Sequence, residues 1–253
     1  MRHKAIAFAA RAHDGQYRKG TDIPYIIHPF EVASMLDREG ADDTVYIAGL
    51  LHDTLEDTPV TEQDILENFG PDVLEVVQHE SEDKSKSWEE RKQHTIEELT
   101  HCRDQRILLV ACADKANNLR SLRRDYAQVG DELWGRFKRG KESIKWYYHG
   151  LIDAFSEPER EQEAHLANRR NVTDYIMYRE LCRDFQMLFV NYYINGAGDR
   201  LIRQYSDVED ETLSVFTRDD PDGKWQTVDE VDLEGCKKIS CQEAMAYLAD
   251  WQG

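Results

Sequence analysis

The sequence predicts a mainly α-helical protein whose C-terminal region holds a long helix, a small β-hairpin and a short helix. Three observations carry this prediction. Apolar residues recur at three- and four-residue spacing through most of the chain up to about Phe155. Helix-opening signatures precede several of these runs: Asp42-Asp43, Thr61 with Asp64, Ser87 with Glu90, and Ser240 with Glu243. A strand-like alternation stands out in one place, on either side of Pro221-Asp222-Gly223.

Taken in order, residues 2–13 make an amphipathic first helix with Ile6, Phe8, Ala9 and Ala10 as its apolar positions, ending before Gly15. A loop with Gly15, Gly20 and Pro24 follows, and Pro29 suits the first turn of a helix reaching Arg38. Asp42 or Asp43 opens the next helix, which runs through "GLLHDTLEDT" until Thr58-Pro59 stops it. Thr61 opens a helix that Gly70 ends, and Ser87 opens "WEERKQHTIEEL". Helical spacing then covers 106–126 and continues through "DELWGRFKRGKESIKWYYHGLIDAF". Beyond Pro158 the polar "EREQEAHLANRRN" reads as an exposed helix or linker. The long helix follows, with Val172, Tyr175, Ile176, Leu181, Phe185, Leu188, Phe189 and Tyr192 near one face, ended by Asn195-Gly196 and Gly198. An aromatic stripe of this kind is core material. The hairpin is "TLSVFTRDDPDGKWQTV", and the last helix carries Ala246, Leu248 and Trp251. The change of composition near Pro158 divides the chain into residues 1–157 and an accessory region, 158–253.

Bulk properties narrow the function. Of 253 residues, 40% are hydrophobic and 32% charged, enough to form a core beneath a heavily charged surface. The net charge of −18 argues against broad binding to a nucleic-acid backbone but leaves room for a local cationic cluster around one small anion. No apolar run is long enough to span a membrane, and the N-terminus lacks the apolar core of a signal peptide. The five cysteines, with no CxxC spacing, read as reduced thiols in a cytoplasmic protein.

Chemistry concentrates in Gly49–Thr58. On a continuous helix His52 and Glu56 share one stripe, and Asp53 and Asp57 its neighbour. Buried carboxylates are costly unless paired or bound to metal. Two other segments supply partners: "IPYIIHP" puts His28 at a helix entrance, and "LLVACADKANNLRSL" puts Asp114 inside an apolar run. His28, His52, Asp53 and Asp114 together offer two imidazoles and two carboxylates, a mixed set that leaves water positions on one six-coordinate divalent ion. Manganese fits it best, with iron, cobalt or zinc as alternatives. Glu56 and Asp57 are then the groups to orient or deprotonate water.

These segments, "HDGQYRKGTDIPYIIHP", "LLHDTLEDT" and "ACADKANNL", resemble the hydrolase motifs of the RelA/SpoT superfamily of HD-domain proteins, in the family's order and over roughly residues 1–155. The residues beyond are too few for that superfamily's nucleotide-synthesising domain, so the resemblance is to its small stand-alone alarmone hydrolases. It implies an HD-domain helical bundle that uses manganese to remove the 3′-pyrophosphate of guanosine tetra- or pentaphosphate, (p)ppGpp. It implies His28, His52, Asp53 and Asp114 as metal ligands and Glu56 and Asp57 as the catalytic pair. Arg18, Lys19, Tyr25, Asn118, Arg120 and Ser121 fall where the family contacts substrate.

Two competing readings are a related nucleotide phosphatase, for example one acting on the 2′-phosphate of NADPH, and an antitoxin-like partner of a synthetase toxin. The leaving group separates the enzymes, and intact ligand motifs weigh against pure binding. The accessory region carries no recognisable catalytic motif; packing against the helical domain, a contact for self-association or a protein partner, and regulation of access are the roles open to it. His3, His13, His79, His94, His101, His149 and His165 receive no role, although His13 lies near the site in sequence. Arg123 and Arg124 read as a solvated helix face within reach of a phosphate.

Overall fold

Where the apolar spacing is helical, helices form. The first three are α1 (Arg2–Ala12), α2 (Ile27–Arg38) and α3 (Asp43–Leu51). Asp42 caps α3 by accepting a hydrogen bond from the Val45 amide at 2.9 Å. α2 buries Val32, Ala33 and Leu36 completely, and α3 buries six of its nine residues. Gly49 allows this close packing, since a Cβ there would run into Leu36 Cδ1. The computed structural model describes residues 1–206, 211–218, 224–228, 231 and 233–252.

The continuous helix predicted through His52 to Thr58 is interrupted. α3 ends at Leu51, a turn takes 52–53, and a single-turn helix, α4 (Thr54–Asp57), follows. Side chains explain the break. His52 Nδ1 donates to the Gly49 carbonyl at 2.8 Å, and Thr54 Oγ1 donates to the Leu51 carbonyl at 2.6 Å. These are acceptors that a continuing helix would have used for its own ladder.

α5 (Glu62–Phe69) opens with the predicted capping box, in which Thr61 and Asp64 bond reciprocally. Gly70, at φ 90°, turns the chain directly into α6 (Pro71–His79), a helix the sequence reading left unassigned. Its signal was Pro71 in the first turn, where a missing N–H costs nothing. α7 (Trp88–His101) begins with the predicted Ser87–Glu90 box. α8 (Gln105–Val129) and α9 (Gly140–Phe155) are separated by a 3₁₀ segment, Gly130–Arg136. α10 (Pro158–Leu166) and α11 (Ile176–Phe189) complete this helical series.

The chain divides into two compact units, residues 1–124 with 149–182, and residues 125–148 with 183–253. Residues 158–182, predicted within the accessory region, fall in the first unit. Arg160, though charged, is buried there and donates to the carbonyls of Leu99 at 2.9 Å, Cys102 at 3.2 Å and Ala154. In the same unit Glu180 pairs with Arg38 at 2.9 Å and with Arg120.

The second unit holds a five-stranded antiparallel sheet in the order β4-β3-β2-β1-β5. The strands are β1 (Asn191–Ile194), β2 (Arg200–Ser206), β3 (Glu211–Thr217), β4 (Gln226–Val228) and β5 (Lys237–Ile239). The predicted hairpin is β3 with β4, pairing Leu213 with Val228 and Val215 with Gln226. Its Pro221-Asp222-Gly223 turn lies outside the described residues. Tyr192, predicted on the long helix, lies instead on β1. The helix ends at Phe189, and in Asn191–Ile194 burial alternates residue by residue. Asn195 then closes the β1–β2 connection by accepting from the Asp199 and Arg200 amides. Tyr192, Ile194, Leu201, Phe216 and Ile239 form the sheet core with Ala244 of α12 (Cys241–Gln252). Ser240 caps α12, as predicted. All five cysteines are free thiols, and no helix among the described residues is long and apolar enough to cross a membrane.

Candidate functional site

The break between α3 and α4 puts His52 and Asp53 on a turn, where their side chains meet residues from α2 and α8. His52 Nε2 lies 3.2 Å from His28 Nε2. Asp53 Oδ2 is 3.0 Å from His52 Nε2 and 3.5 Å from His28 Nε2. Asp114 Oδ1 stands 3.0 Å from His28 Nε2 and 3.5 Å from His52 Nε2. One ligand atom from each of His28, His52 and Asp114 lies within 4.8 Å of the other two, and all three residues are buried.

The hydrogen bonds at the far side of each ring fix what these nitrogens can do. His52 Nδ1 faces a carbonyl, so it carries the proton. His28 Nδ1 is 2.7 Å from Asn117 Oδ1. The Asn117 amide is oriented by its NH₂ donating to Glu31 Oε2 at 2.8 Å. His28 Nδ1 is therefore a donor as well. Both neutral rings then present Nε2 lone pairs to one another and to two carboxylates. Three of these acceptors, on His28, His52 and Asp114, lie mutually within 4.8 Å, with Asp53 beside the two imidazoles but outside that group; the arrangement suits a cation, and the donor set a divalent metal. Burial opposes a charge on His52, yet Asp53 and Asp114 outweigh it and hold its pKa well above the ordinary histidine value. Without a metal, the cluster draws in a proton. For Asp53 and Asp114 burial likewise favours the neutral acid. It is overcome by the His52 charge at Asp53 and chiefly by Lys115 at Asp114, which hold both carboxyls below the usual range.

Glu56 and Asp57 stand on α4, one turn beyond. Glu56 is partly buried, and its pKa is raised by burial and by the Asp57 charge, with Lys84 opposing. Asp57 is more exposed, with 40% of its side-chain surface accessible.

The other predicted residues divide into two sets. Arg18 Nη2 donates to Asn118 Oδ1 at 3.1 Å, and Asn118 Nδ2 donates to Asp114 Oδ1 at 2.7 Å. Tyr25 donates its hydroxyl to Asp53 Oδ2 at 2.7 Å, with the Arg18 guanidinium 5.8 Å from its ring centre. Tyr25 and Asn118 therefore join the cluster directly, and Arg18 through Asn118. A bridge between Tyr17 and Pro24 folds their loop back on itself and holds Lys19, which is exposed, near its tip. Arg120 turns elsewhere, to Glu180, and Ser121 is half-buried on the following position of α8.

Four further residues complete the site without having been assigned from sequence. Asn117 and Glu31 set the His28 tautomer. Lys115 donates to Asp114 Oδ2 at 2.6 Å and lies 3.5 Å from the buried Glu80 carboxylate. Glu31 sits one turn after His28, and Lys115 and Asn117 lie beside Asp114 on α8, so these three were close in sequence to assigned ligands; the partners they meet, and Glu80, are supplied by long-range packing that no spacing rule reveals.

The HD-domain family model matches residues 5–144. A guanosine-3′,5′-bis(diphosphate) 3′-pyrophosphohydrolase, MESH1, from Xenopus tropicalis is 44% identical over 146 residues, covering 56% of this chain and 78% of that protein. A guanosine-3′,5′-bis(diphosphate) 3′-pyrophosphohydrolase from Haemophilus influenzae is 38% identical over 119 residues, covering 45% of this chain but 17% of that longer protein. Among solved structures, one described as a metazoan ortholog of SpoT that hydrolyses ppGpp superposes with a TM-score of 0.54 at 29% identity, covering 65% of this chain and 94% of that one. The structure of lmo0812 from Listeria monocytogenes EGD-e superposes with a TM-score of 0.55 at 34% identity, covering 63% and 96%.

Proposed function

The chain belongs to the HD-domain family, and from that premise we propose that it is a metal-dependent guanosine-3′,5′-bis(diphosphate) 3′-pyrophosphohydrolase. Water adds to the 3′-linked phosphorus, its bond to the ribose 3′-oxygen breaks, that oxygen takes a proton, and (p)ppGpp plus water gives GDP or GTP plus pyrophosphate. The observation that carries this reading is the facing Nε2 pair of His28 and His52 between two carboxylates, one turn before Glu56 and Asp57. We assign His28, His52, Asp53 and Asp114 as ligands of one divalent ion, with manganese preferred because two carboxylates and open water positions suit it and because the resemblance to manganese-using hydrolases implies it. When bound, such an ion supplies a Lewis acid for a phosphoryl oxygen and acidifies water.

The chain's own groups do the rest. Glu56, whose pKa is raised by burial and by the Asp57 charge, is the proton acceptor for water. Asp57, more exposed, orients the water. Tyr25 and Asn118 fix Asp53 and Asp114 by hydrogen bonds, and Asn118 also anchors Arg18. Arg18 and Lys19 supply the local positive charge that phosphates need in a protein of net charge −18. Arg120 is paired with Glu180, so a substrate role for it requires that pair to open, and Ser121 beside it is assigned with it. We place catalysis in residues 1–157 and self-association or a protein partner in 158–253. The free cysteines support a cytoplasmic setting.

The test is incubation of the manganese-loaded protein with guanosine tetraphosphate. Equimolar GDP and pyrophosphate are expected. Absence of both, with orthophosphate released from NADPH instead, overturns the assignment.

A further inference from the structure

Glu56 and Asp57 are adjacent carboxylates on a helix of a single turn, and such a pair repels itself. Within the turn, the Asp57 amide bonds the Asp53 carbonyl at 2.9 Å and the Thr58 amide bonds the Thr54 carbonyl at 3.2 Å. Thr58 Oγ1 adds a bond to the same Thr54 carbonyl at 2.7 Å, and further support arrives from outside, on two sides. Gln16 Nε2 donates to the Asp57 carbonyl at 2.7 Å, and Gln16 is itself held by His13 Nδ1 at 2.8 Å. From the segment between α6 and α7 comes Lys84. Its ammonium donates to the Glu56 carbonyl at 2.9 Å and to Asp57 Oδ1 at 3.2 Å, and lies 3.5 Å from Glu56 Oε1.

We propose that Lys84 is a positioning residue for the hydrolysis: one ammonium bridges both carboxylates of the water-handling pair and their backbone, fixing where the two side chains point. The proposal rests on the roles given above to Glu56 and Asp57. Three donors on one nitrogen match three acceptors here: a carbonyl at the end of a helical turn, where a cation is favoured, and the two carboxylates. The fold has little need of the contact. Lys84 is 56% exposed, and an exposed ion pair of this kind contributes little to stability. Its effect is therefore local. Among the described residues the charges that act most on the Glu56 carboxylate are Asp57 on its own turn and Lys84 and Glu82 from the segment after α6, and the Glu82 backbone also hydrogen-bonds it. Lys84 is the one cation among them, and it keeps Glu56 from being pushed still further toward the protonated form.

The test uses Lys84→Met and Lys84→Arg in the full-length, manganese-loaded protein, with guanosine tetraphosphate as substrate. For Lys84→Met, kcat is expected to fall about 10–100-fold, as when a partner that orients a reacting group is lost. KM should stay within about 3-fold and bound metal should be unchanged. The acid limb of kcat should move to higher pH, and Lys84→Arg should recover part of the loss. Carboxyl-¹³C NMR titration of the same variants loaded with diamagnetic zinc, which needs no turnover, should show Glu56 titrating at higher pH in Lys84→Met. A raised KM with normal kcat would make Lys84 a substrate contact, and an unmoved Glu56 titration would also overturn the proposal. A wild-type protein that releases no pyrophosphate defeats the substrate assignment alone, because the titration still decides the role of Lys84.

Discussion

His28 and His52 face each other through Nε2 atoms 3.2 Å apart, and as neutral rings neither has a proton to offer the other, so the pair calls for a cation, a proton or a metal ion, between the two carboxylates. The proton of His52 is committed to the Gly49 carbonyl, and that of His28 to Asn117, whose amide Glu31 has already oriented. The pair is thus prepared from behind. Helix termination fixes one ring, a polar contact between α2 and α8 fixes the other, and the common point in front of them attracts a cation.

His52→Ala and Asp114→Ala should each abolish stoichiometric metal binding along with turnover. Each change removes one donor from a four-donor set and leaves the others as buried polar groups without a shared cation. Elemental analysis after gel filtration reads the metal directly. A full equivalent of metal in either variant, with normal activity, would defeat the ligand assignment. Asn117→Ala should be milder, weakening metal binding about 10–100-fold by freeing the His28 ring.

Glu56→Gln and Asp57→Asn should keep the metal and lower kcat by roughly 10²–10⁴-fold, the range for a positioned acid–base group. The pH dependence has a definite sign. Burial and Asp57 raise the Glu56 pKa, so the active, ionised form is lost as pH falls through a value above the ordinary carboxylate range. The acid limb of kcat should lie there and vanish in Glu56→Gln. For stability, the contribution of protonated Glu56 is present at low pH and lost as pH rises through its folded pKa. Glu56→Gln should therefore not destabilise the protein at neutral pH, as thermal melts can check. Loss of metal in either variant would make these residues ligands instead.

The parts of this molecule legible in the sequence are those written locally. Capping boxes at Thr61 and Ser87 and the cap at Ser240 mark helix starts three residues from their partners, and each forms as read. Four metal-ligand candidates were legible because a carboxylate or imidazole inside an apolar run needs an explanation. What escaped was non-local or ambiguous in period. Tyr192 continues the apolar stripe of α11 by spacing alone, yet it belongs to β1, because pairing with β2 and β5 decides it. The break at His52-Asp53 depends on side chains returning to their own helix carbonyls, a competition that periodicity does not display. Asn117 and Lys84 act across 89 and 27 positions respectively, distances at which only the folded chain brings groups together.

Arg160→Ala should destabilise the protein by roughly 2–4 kcal/mol while leaving metal content unchanged. The guanidinium serves carbonyls at the end of α7 and in α9, and its removal strands several of them in the interior at about 1–3 kcal/mol each before relaxation. Urea unfolding followed by circular dichroism measures this. A change below about 0.5 kcal/mol, the scale of ordinary surface substitutions, would mean that water replaces the guanidinium freely.

Arg18→Ala tests how substrate is held. Arg18 is tied to the cluster through a chain of two hydrogen bonds, first to Asn118 and then to Asp114, and its guanidinium stands near the Tyr25 ring. Planar charge in that place can stack on a purine or meet a phosphate, and either contact exists before the reaction as well as during it. Its loss should therefore raise KM for guanosine tetraphosphate about 10–100-fold, equivalent to about 1.4–2.7 kcal/mol of binding, with kcat changed much less. Asn118→Ala releases the same arginine and also frees Asp114, so it should raise KM and weaken metal binding together. Steady-state kinetics at saturating manganese separates the two effects. If Arg18→Ala lowers kcat with KM unchanged, the arginine acts on the transition state and belongs with Glu56 and Asp57 in the chemistry.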